Sequence, residues 1–404
     1  MKIKLGVLFG GKSTEHEISI ISAIQAINYL DKSKYDVTPI YITKNNEFYI
    51  GEGIGDIKNY TKLDELLKNS QRVILTPNGN KVELLRYPLK KFGNNVLGEI
   101  EIAFPIVHGT NVEDGTLQGY LSMLNLPYVG CDVTASAVGM DKYVMKTVLK
   151  ENGIPVLDCI RFTSVDYDFG IDSIVEKCEQ KIGYPVIVKP VNLGSSIGIT
   201  KASDKDELLS ALDTAFGFAD VILVERAITE LKEINCAVLG DYQDAQASEC
   251  EQPLNATNIL SFEDKYMSGG KSAKGTGSKG MASLARQIPA DITDEKRDEI
   301  RKMAVDAFKC LGCNGVTRID FMIDMATDTV YLNEVNTIPG SLSFYLWEPV
   351  GLPYGKLLDN MINLAFKRQR EQSEITYSFD SNVLEGVNLG GAKGSKRWRF
   401  STLL

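Results

Sequence analysis

Apolar runs and helical patterns alternate in the first part of the chain. Residues 3–9 (IKLGVLF) are predicted to form a buried strand, and a helical pattern follows over 15–30. Residues 35–42 and 101–109 are predicted as further strands, with a less regular stretch over 43–98. Because strands that alternate with helices usually build parallel sheets, this pattern predicts an α/β domain with helices on both faces of a parallel sheet.

The alternation continues to about residue 372, in a second and a third α/β region. The predicted helices cover residues 142–152, 204–215, 294–311 and 354–370, and the predicted strands cover 185–190 and 221–226. Beyond that point the sequence becomes polar and rich in glycine, so residues 373–404 are predicted to be mostly a mobile tail.

Residues 315–340 are predicted to form a β-hairpin, because two alternating β-branched runs flank a short polar turn. In that hairpin Asp320 would face Glu334, and two carboxylates so close repel each other unless one is protonated or a cation lies between them. Asn336 adds an amide oxygen and Arg318 lies alongside. This oxygen set suits Mg²⁺ that carries phosphates. The alternative is a solvated hairpin with alternating charges.

Two glycine-rich stretches are candidates for binding phosphates. Lys189 ends a predicted strand and precedes a loop with glycines at 194 and 198, where backbone N–H groups could approach phosphate oxygens. An ordinary turn explains that loop equally well. Residues 266–280 (YMSGGKSAKGTGSKG) contain lysines and glycines that cannot pack a core, so they are either a lid over a polyanion or a surface linker.

Further candidate groups follow the first and the last strand of the N-terminal region. Thr14 and Glu17 have the spacing of a capping box, which would place Glu15 in the first turn of a helix, where its carboxylate could hold a substrate ammonium. Acidic enrichment at a helix start is the alternative. His108 comes directly after an apolar run and shortly before Glu113. It is therefore either a residue of the site or a structural residue of the strand.

Composition excludes several classes of function. A chain of 404 residues accommodates two or three domains, and its net charge of −9 with a pI near 5.1 gives no attraction for nucleic acid or an anionic membrane. No apolar run approaches the roughly 18 residues of a spanning helix, so a cytoplasmic location is predicted. The seven cysteines are predicted to be reduced, and the Cys310–Cys313 pair to be buried thiols rather than a zinc or redox site.

Seven short motifs occur in one order along residues 3–370. They are GG-x-S-x-E-x-E-x-S (10–19), HG…EDGT-x-QG (108–119), MDK (140–142), VIVKP…GSS-x-G (186–198), KY (265–266), R-x-D (318–320) and NE-x-N-T-x-PG (333–340). Together they resemble the D-alanine–D-alanine ligases, which are ATP-grasp carboxylate–amine ligases. The resemblance implies a Rossmann-like parallel-sheet domain (1–130), a central ATP-grasp subdomain (131–228) and a C-terminal ATP-grasp domain (229–372) with a lid over 262–281.

The resemblance also implies roles for individual residues. The residues implied to bind ATP are Lys142, Lys189, Glu225, Arg226, Ile228, Glu233 and Lys265. The implied ligands of two Mg²⁺ ions, with Mn²⁺ as an alternative, are Asp320, Glu334 and Asn336. The implied catalytic residues are Glu15, Ser195, Tyr266, Arg318 and Gly340, and the implied substrate-binding residues are Glu15, His108, Glu113, Tyr345 and Leu346. A homodimer is expected from the family.

The implied activity is formation of D-alanyl-D-alanine from two D-alanines and ATP, through an acyl phosphate, for peptidoglycan synthesis. Three positions depart from the family pattern. Arg226 stands where many members have lysine, and the spacing from Glu225 to Glu233 is one residue longer than usual. Tyr345 and Leu346 fall where the family has a serine and a leucine near the carboxylate of the second substrate. A D-alanine–D-serine ligase is therefore an alternative. A phosphotransferase and a non-catalytic nucleotide-binding scaffold are alternatives from other classes.

Overall fold

The structure is a computed structural model that describes residues 2–79, 81–194, 196–254 and 286–378. Ser195, Lys265 and Tyr266 lie outside these ranges, as do the predicted lid over 262–281 and the tail from residue 379 onward.

The first sheet has seven strands in the order β6-β5-β4-β3-β2-β1-β7. They are β1 (Ile3–Gly10), β2 (Tyr35–Ile42), β3 (Phe48–Ile50), β4 (Gln71–Asn78), β5 (Lys81–Arg86), β6 (Val96–Ile100) and β7 (Ile102–Pro105). Between them lie helices α1 (His16–Tyr29) and α2 (Leu63–Lys68) and the 3₁₀ helices Glu52–Gly55 and Ile57–Lys62.

The predicted parallel pairing is confirmed only for β2, β1 and β7, which lie at one end of the sheet. β1 pairs in parallel with β2 and with β7, whereas the other neighbouring strands pair antiparallel. The prediction of an irregular stretch over 43–98 is wrong, because β3 to β6 lie there. These strands escaped detection because they are short or half-exposed: in β4, Val73 and Leu75 are buried while Ile74 between them faces solvent.

The carboxyl end of β1 is fixed by hydrogen bonds from its glycines. The N–H of Gly10 donates to Ser19 Oγ (2.7 Å), and the N–H of Gly11 donates to the carbonyl of Ile42 (2.7 Å). Helix α1 begins at His16 with Glu15 as its N-cap, and no side chain caps it. The predicted capping box of Thr14 and Glu17 is therefore wrong, and the carboxylate of Glu17 instead accepts a hydrogen bond from Lys44 Nζ (2.7 Å).

The second sheet is antiparallel, with four strands in the order β10-β9-β11-β8. Its strands are β8 (Cys159–Thr163), β9 (Val186–Pro190), β10 (Thr200–Ala202) and β11 (Val221–Arg226). The helices of this part of the chain are α3 (Thr116–Met123), α4 (Val133–Met140), α5 (Lys142–Glu151), α6 (Ser164–Lys181) and α7 (Lys205–Phe216). The strands and helices predicted here are confirmed.

The third sheet is also antiparallel, with five strands in the order β14-β13-β12-β15-β16. Its strands are β12 (Leu231–Gly240), β13 (Ala245–Pro253), β14 (Arg286–Gln287), β15 (Gly315–Asp324) and β16 (Thr329–Asn336). Helices α8 (Asp294–Cys310) and α9 (Tyr354–Ser373) and the 3₁₀ helices Gly340–Leu346 and Glu348–Val350 complete the described chain. The hairpin of β15 and β16 and both long helices were predicted.

The chain returns to its first domain after the third sheet. Trp347, Leu357 and Leu358 are buried in the same hydrophobic cluster as Leu5 and Phe9 of β1. This packing fixes the segment after β16 against the N-terminal sheet. The segment therefore connects the third sheet directly to the carboxyl ends of β1 and β7.

The cysteines agree with the prediction from composition. All seven cysteines are free thiols, and Cys313 is buried while Cys310 is partly so. Over the residues that the structure describes, no helix is both long enough and apolar enough to cross a bilayer.

The turn after β1 provides a test of the fold. Gly10 has a φ of +95°, and a Cβ there would lie 2.3 Å from the carbonyl oxygen of Ile42. Gly93 has nearly the same φ, +94°, but no atom lies within 4 Å of a Cβ built on it. Both Gly→Ala changes incur backbone strain of about 1–2 kcal/mol. We expect Gly10→Ala to lower the free energy of unfolding, measured by urea denaturation, by about 1–3 kcal/mol more than Gly93→Ala. Equal losses in the two variants would contradict this packing.

Candidate active site

A row of four polar residues crosses the third sheet. Glu251 pairs with Asn235, Asn235 with Asp320, and Asp320 with Glu334, on strands β13, β12, β15 and β16 respectively. Residues that pair across antiparallel strands project from the same face of the sheet. The prediction that Asp320 faces Glu334 is therefore confirmed, and two further polar groups extend the row.

A β-bulge lies within this row. Asp320 pairs with Glu334 and Phe321 with Leu332, so Asn333 is an extra residue on β16. Bulges change the direction of side chains and are common beside active sites. Here Asn333 Oδ1 accepts a hydrogen bond from Lys189 Nζ (3.2 Å), which connects the third sheet to the second.

Arg318 neutralises Asp320. Its Nε and Nη2 atoms donate to the two carboxylate oxygens at 2.6 and 2.7 Å, and Asn336 Nδ2 donates to Oδ2 at 3.2 Å. Burial raises the pKa of Asp320, and the charge of Glu334 adds to this, although Arg318 acts in the opposite direction. Burial thus disfavours the charged form of this carboxylate, and the pair with Arg318 favours it.

The oxygens of Asp320, Glu334 and Asn336 form a donor set that fits a hard divalent cation. Two carboxylates face each other, an amide lies beside them, and the site is only partly exposed. Over the described ranges, no three His, Cys, Asp or Glu side chains converge to hold a metal on their own. A set this sparse suits Mg²⁺, which keeps waters and phosphate oxygens among its ligands.

A buried triad of charges joins the second sheet to helix α5. Lys189 Nζ and Lys146 Nζ donate to Oε1 and Oε2 of Glu225, each at 2.5 Å, and all three side chains are at most 4% exposed. Burial alone would raise the pKa of Glu225, but the charges of Lys189 and Lys146 outweigh it and lower the pKa to about 2. The triad therefore brings two cations to this part of the site together with one counter-charge.

Lys142 lies at the start of α5 and reaches the carboxylate row. Its Nζ donates to the carbonyl of Leu193 (2.7 Å) and lies 3.7 Å from Glu334 Oε2. Burial lowers the pKa of Lys142, while the charge of Glu334 opposes the shift. Lys142, Lys189 and Arg318 thus surround the facing carboxylates from three different elements.

The residues expected at the adenine and ribose lie near the junction of the second and third sheets. Arg226 ends β11, pairs with Asp324 (2.9 Å) and lies over the ring of Tyr331. Ile228 follows it and is partly buried, and Glu233 lies on β12 opposite Met322. The carboxylate of Glu225 pairs with Lys146 and Lys189, so its side chain positions these two cations.

At the N-terminal side of the site, Glu15 lies between two glycine loops. A Cβ on Gly109 would lie 2.8 Å from Glu15 Oε2, and one on Gly194 would lie 3.1 Å from the same atom. These two loops follow β7 and β9 respectively. The carboxylate is therefore held where the first and second sheets approach each other.

His108 fixes the segment after β16. Nδ1 donates to the carbonyl of Ile338 (2.8 Å), so Nε2 accepts from Ser22 Oγ (3.0 Å), which in turn accepts from the N–H of Ser341 (3.0 Å). Burial lowers the pKa of His108 to about 4 and keeps the ring neutral. Both ring nitrogens are thus used to position protein groups.

Glu113, in the loop that follows His108, also fixes the segment after β16. Its carboxylate accepts hydrogen bonds from the N–H groups of Gly109 (2.9 Å) and Ile338 (2.8 Å). Burial, together with the charge of Glu15, raises the pKa of Glu113 to about 8 although both hydrogen bonds oppose the shift. His108 and Glu113 together hold the chain that leads to Gly340.

The segment Gly340–Leu346 has an unusual backbone. Ser341, Leu342 and Ser343 have φ values of 50°, 53° and 49°, a left-handed conformation that non-glycine residues rarely adopt in succession. Tyr345 points toward the third sheet, where its hydroxyl donates to Glu251 Oε1 (3.2 Å). Leu346 is fully buried.

Sequence reasoning missed several residues of the site. Lys146 is four residues after Lys142, so helical periodicity could have placed both lysines on one face of α5. Asn235, Glu251 and Arg286 carried no motif, and only strand pairing brings them together. The structure groups two sets of predicted site residues: Lys142, Lys189, Arg318, Asp320, Glu334 and Asn336 at the carboxylate pair, and Glu15, His108 and Glu113 at the Gly109 loop. Arg226 is set apart by its pair with Asp324.

Comparisons with known proteins agree with this architecture. Family models described as D-ala D-ala ligase N-terminus and D-ala D-ala ligase C-terminus match residues 4–131 and 148–363. The D-alanine–D-alanine ligase of Thermosipho melanesiensis is 39% identical over 383 residues, covering 95% of this chain and 98% of that protein. The corresponding protein of a Thermoanaerobacter species is 40% identical over 92% of this chain and 98% of that protein.

Solved structures give the same result. The D-alanine–D-alanine ligase of Coxiella burnetii has a TM-score of 0.75 and 32% identity, with 92% of this chain and 96% of that chain covered. The VanG D-Ala:D-Ser ligase of Enterococcus faecalis has a TM-score of 0.74 and 30% identity, with 90% and 100% covered. The expected fold class, a Rossmann-like domain followed by an ATP-grasp fold, is confirmed. This chain belongs to the D-alanine–D-alanine ligase family.

Proposed function

We propose that this enzyme uses ATP to join two D-alanines into D-alanyl-D-alanine, which serves peptidoglycan precursor synthesis. The observation that carries the proposal is the convergence of Lys142, Lys189 and Arg318 on the facing carboxylates Asp320 and Glu334. Such a site can bind a nucleotide's phosphates and a divalent cation. Named relatives with this activity match over almost their whole length.

The chemistry follows from the charges. A carboxylate is a poor electrophile, so the first D-alanine attacks the γ-phosphorus of ATP, which gives an acyl phosphate and ADP. Lys142, Lys189 and Arg318 offset negative charge on the transferred group. The neutral amine of the second D-alanine then attacks the acyl carbon, and inorganic phosphate leaves. Water would hydrolyse the acyl phosphate, so the residues over 262–281 are assigned the role of a lid.

Asp320, Glu334 and Asn336 are the residues that would hold Mg²⁺, with two ions expected and Mn²⁺ as a substitute. When bound, the metal would neutralise phosphate charge and orient the phosphates. Arg318 has a second role near these ligands, because its bidentate pair with Asp320 favours the charged form of that buried carboxylate. Lys265 lies in the proposed lid and is assigned to ATP.

The two amino acids are assigned to opposite sides of the acyl centre. Glu15 would hold the ammonium of the first D-alanine, in concert with Ser195 and Tyr266. His108 and Glu113 support that site by fixing the backbone near Gly340, whose N–H is assigned to the oxyanion. Tyr345 and Leu346 are assigned to the second D-alanine. A cytoplasmic location and a homodimer remain predictions from composition and family.

A D-alanine–D-serine ligase is the second candidate. It is favoured by the similarity to the VanG D-Ala:D-Ser ligase and by Tyr345 in the position assigned to the second substrate. Membership of a ligase family disfavours a phosphotransferase or a scaffold.

The substrate assignment is tested by measuring phosphate release and product mass with D-alanine, D-serine, D-lactate and L-alanine. We expect release to require ATP, Mg²⁺ and D-alanine, with D-alanyl-D-alanine as the main product. A mixed D-alanyl-D-serine product that dominates at equal concentrations would favour the second candidate. Turnover with L-alanine but not with D-alanine would refute both.

The lysine triad is tested by Lys146→Met. Loss of one cation leaves Lys189 as the sole partner of the buried Glu225, so Lys189 is less available to phosphate. We expect the KM for ATP to rise and the free energy of unfolding at pH 7 to fall by about 3–5 kcal/mol. Lys150→Met is the matched control, because Lys150 lies on the same helix but is 66% exposed and pairs with an exposed Asp158. A Lys146→Met variant that behaves like the control would contradict the assignment.

The same variant has a defined pH dependence. Glu225 has a pKa of about 2 in the folded enzyme, below its ordinary value of 4.5. Its stabilising effect is thus complete above pH 4.5 and is lost as the pH falls toward 2. We therefore expect the stability difference between the native enzyme and Lys146→Met, measured in urea, to shrink across this range.

A further inference from the structure

A cluster of largely buried polar groups extends from the Asn235 and Glu251 end of the polar row, and the chemistry above uses only Tyr345 among its members. Arg286 Nη1 donates to Glu251 Oε2 (3.0 Å), and the Tyr345 hydroxyl donates to Glu251 Oε1 (3.2 Å). Asn235 Nδ2 donates to the same Oε1 atom (2.9 Å). The guanidinium of Arg286 also stacks on the Tyr345 ring, 3.9 Å from its centroid.

The hydrogen bonds of this cluster limit what Tyr345 can do. A phenol has one proton, and here it is directed to Glu251. Burial raises the pKa of Tyr345 to about 12, so the hydroxyl keeps that proton. In this arrangement the hydroxyl can accept a hydrogen bond but cannot donate one to a substrate carboxylate. Such a carboxylate needs a different donor.

The cluster lies within reach of the acyl centre. Glu251 pairs with Asn235 and Asn235 with Asp320, so Glu251 is two strands, or about 10 Å, from Asp320. An amino acid bound near Asp320 is therefore within reach of the cluster.

Arg286 is the cation of this cluster. Arg318 is held by Asp320 through both Nε and Nη2, whereas Arg286 contacts Glu251 through Nη1 and Tyr345 through the face of its guanidinium. The side chain of Arg286 is 13% exposed, whereas that of its partner Glu251 is 4% exposed. Glu251 thus lies behind the guanidinium, and Tyr345 fixes the plane of that guanidinium by stacking.

We propose that Arg286 binds the carboxylate of the second amino acid, and that Tyr345 and Glu251 are positioning residues that orient its guanidinium. This inference rests on the proposed ligase function and adds to it a residue that determines specificity for the acceptor. The acceptor is thereby required to carry a carboxylate next to its amine.

The test compares acceptors with and without that carboxylate. D-Alanine and D-alaninamide compete as acceptors in the presence of ATP, Mg²⁺ and D-alanine as donor, and mass spectrometry gives the ratio of the two products. We expect the native enzyme to prefer D-alanine strongly and Arg286→Gln to lose about tenfold to a hundredfold of that preference. The KM for ATP should not change. Arg297→Gln is the matched control, because Arg297 pairs with Asp294 and Asp298 on the surface of α8.

Two further variants separate binding from folding. Arg286→Lys keeps the charge but loses the planar fork, so an intermediate preference is expected. Tyr345→Phe keeps the ring and removes one donor to Glu251, so a smaller loss than in Arg286→Gln is expected. If circular dichroism shows that Arg286→Gln does not fold, the acceptor preference of Arg286→Lys tests the proposal instead. A preference equal to that of the native enzyme in the folded variant would overturn the proposal. Failure of the native enzyme to form any dipeptide would instead refute the ligase function.

Discussion

The facing pair of Asp320 and Glu334 is the constraint on which the rest of the site depends. Two carboxylates directly opposite each other in a partly buried ladder repel each other, so cations must be brought to them. Arg318 comes from the same strand as Asp320, Lys142 comes from helix α5, and Lys189 reaches the adjacent Asn333 from the second sheet. The need for charge compensation thus explains why these three elements converge.

The cations of the site have protein counter-charges of their own. Arg318 pairs with Asp320, and Lys189 and Lys146 pair with Glu225. Buried charges without partners are strongly unfavourable, and pairing allows the cleft to fold before any ligand arrives. A nucleotide and its metal can then exchange partners with groups that are already in place, which limits reorganisation during the reaction.

The sequence predicted the hairpin and its facing carboxylates because both depend on local rules. Alternation marks the two strands, and the short turn sets which residues pair. Strands β3 to β6 were not predicted, since short, half-exposed strands carry a weak apolar signal. The capping box of Thr14 and Glu17 failed because the helix has Glu15 as its N-cap, one residue later than the box requires. Other contacts arise from packing between elements, for example Lys146 with Glu225 and Arg286 with Glu251 and Tyr345. A single sequence does not show which residues of distant elements will pair.

The central claim is that Asp320 and Glu334 bind a divalent cation that carries the nucleotide's phosphates. It is tested by titrating Mn²⁺ into the enzyme with a non-hydrolysable ATP analogue, followed by electron paramagnetic resonance, for the native protein, Glu334→Gln and the exposed control Glu176→Gln. The account predicts that Glu334→Gln loses nucleotide-dependent Mn²⁺ binding while it stays folded, and that Glu176→Gln binds as the native enzyme does. Unchanged Mn²⁺ binding in Glu334→Gln would contradict the account.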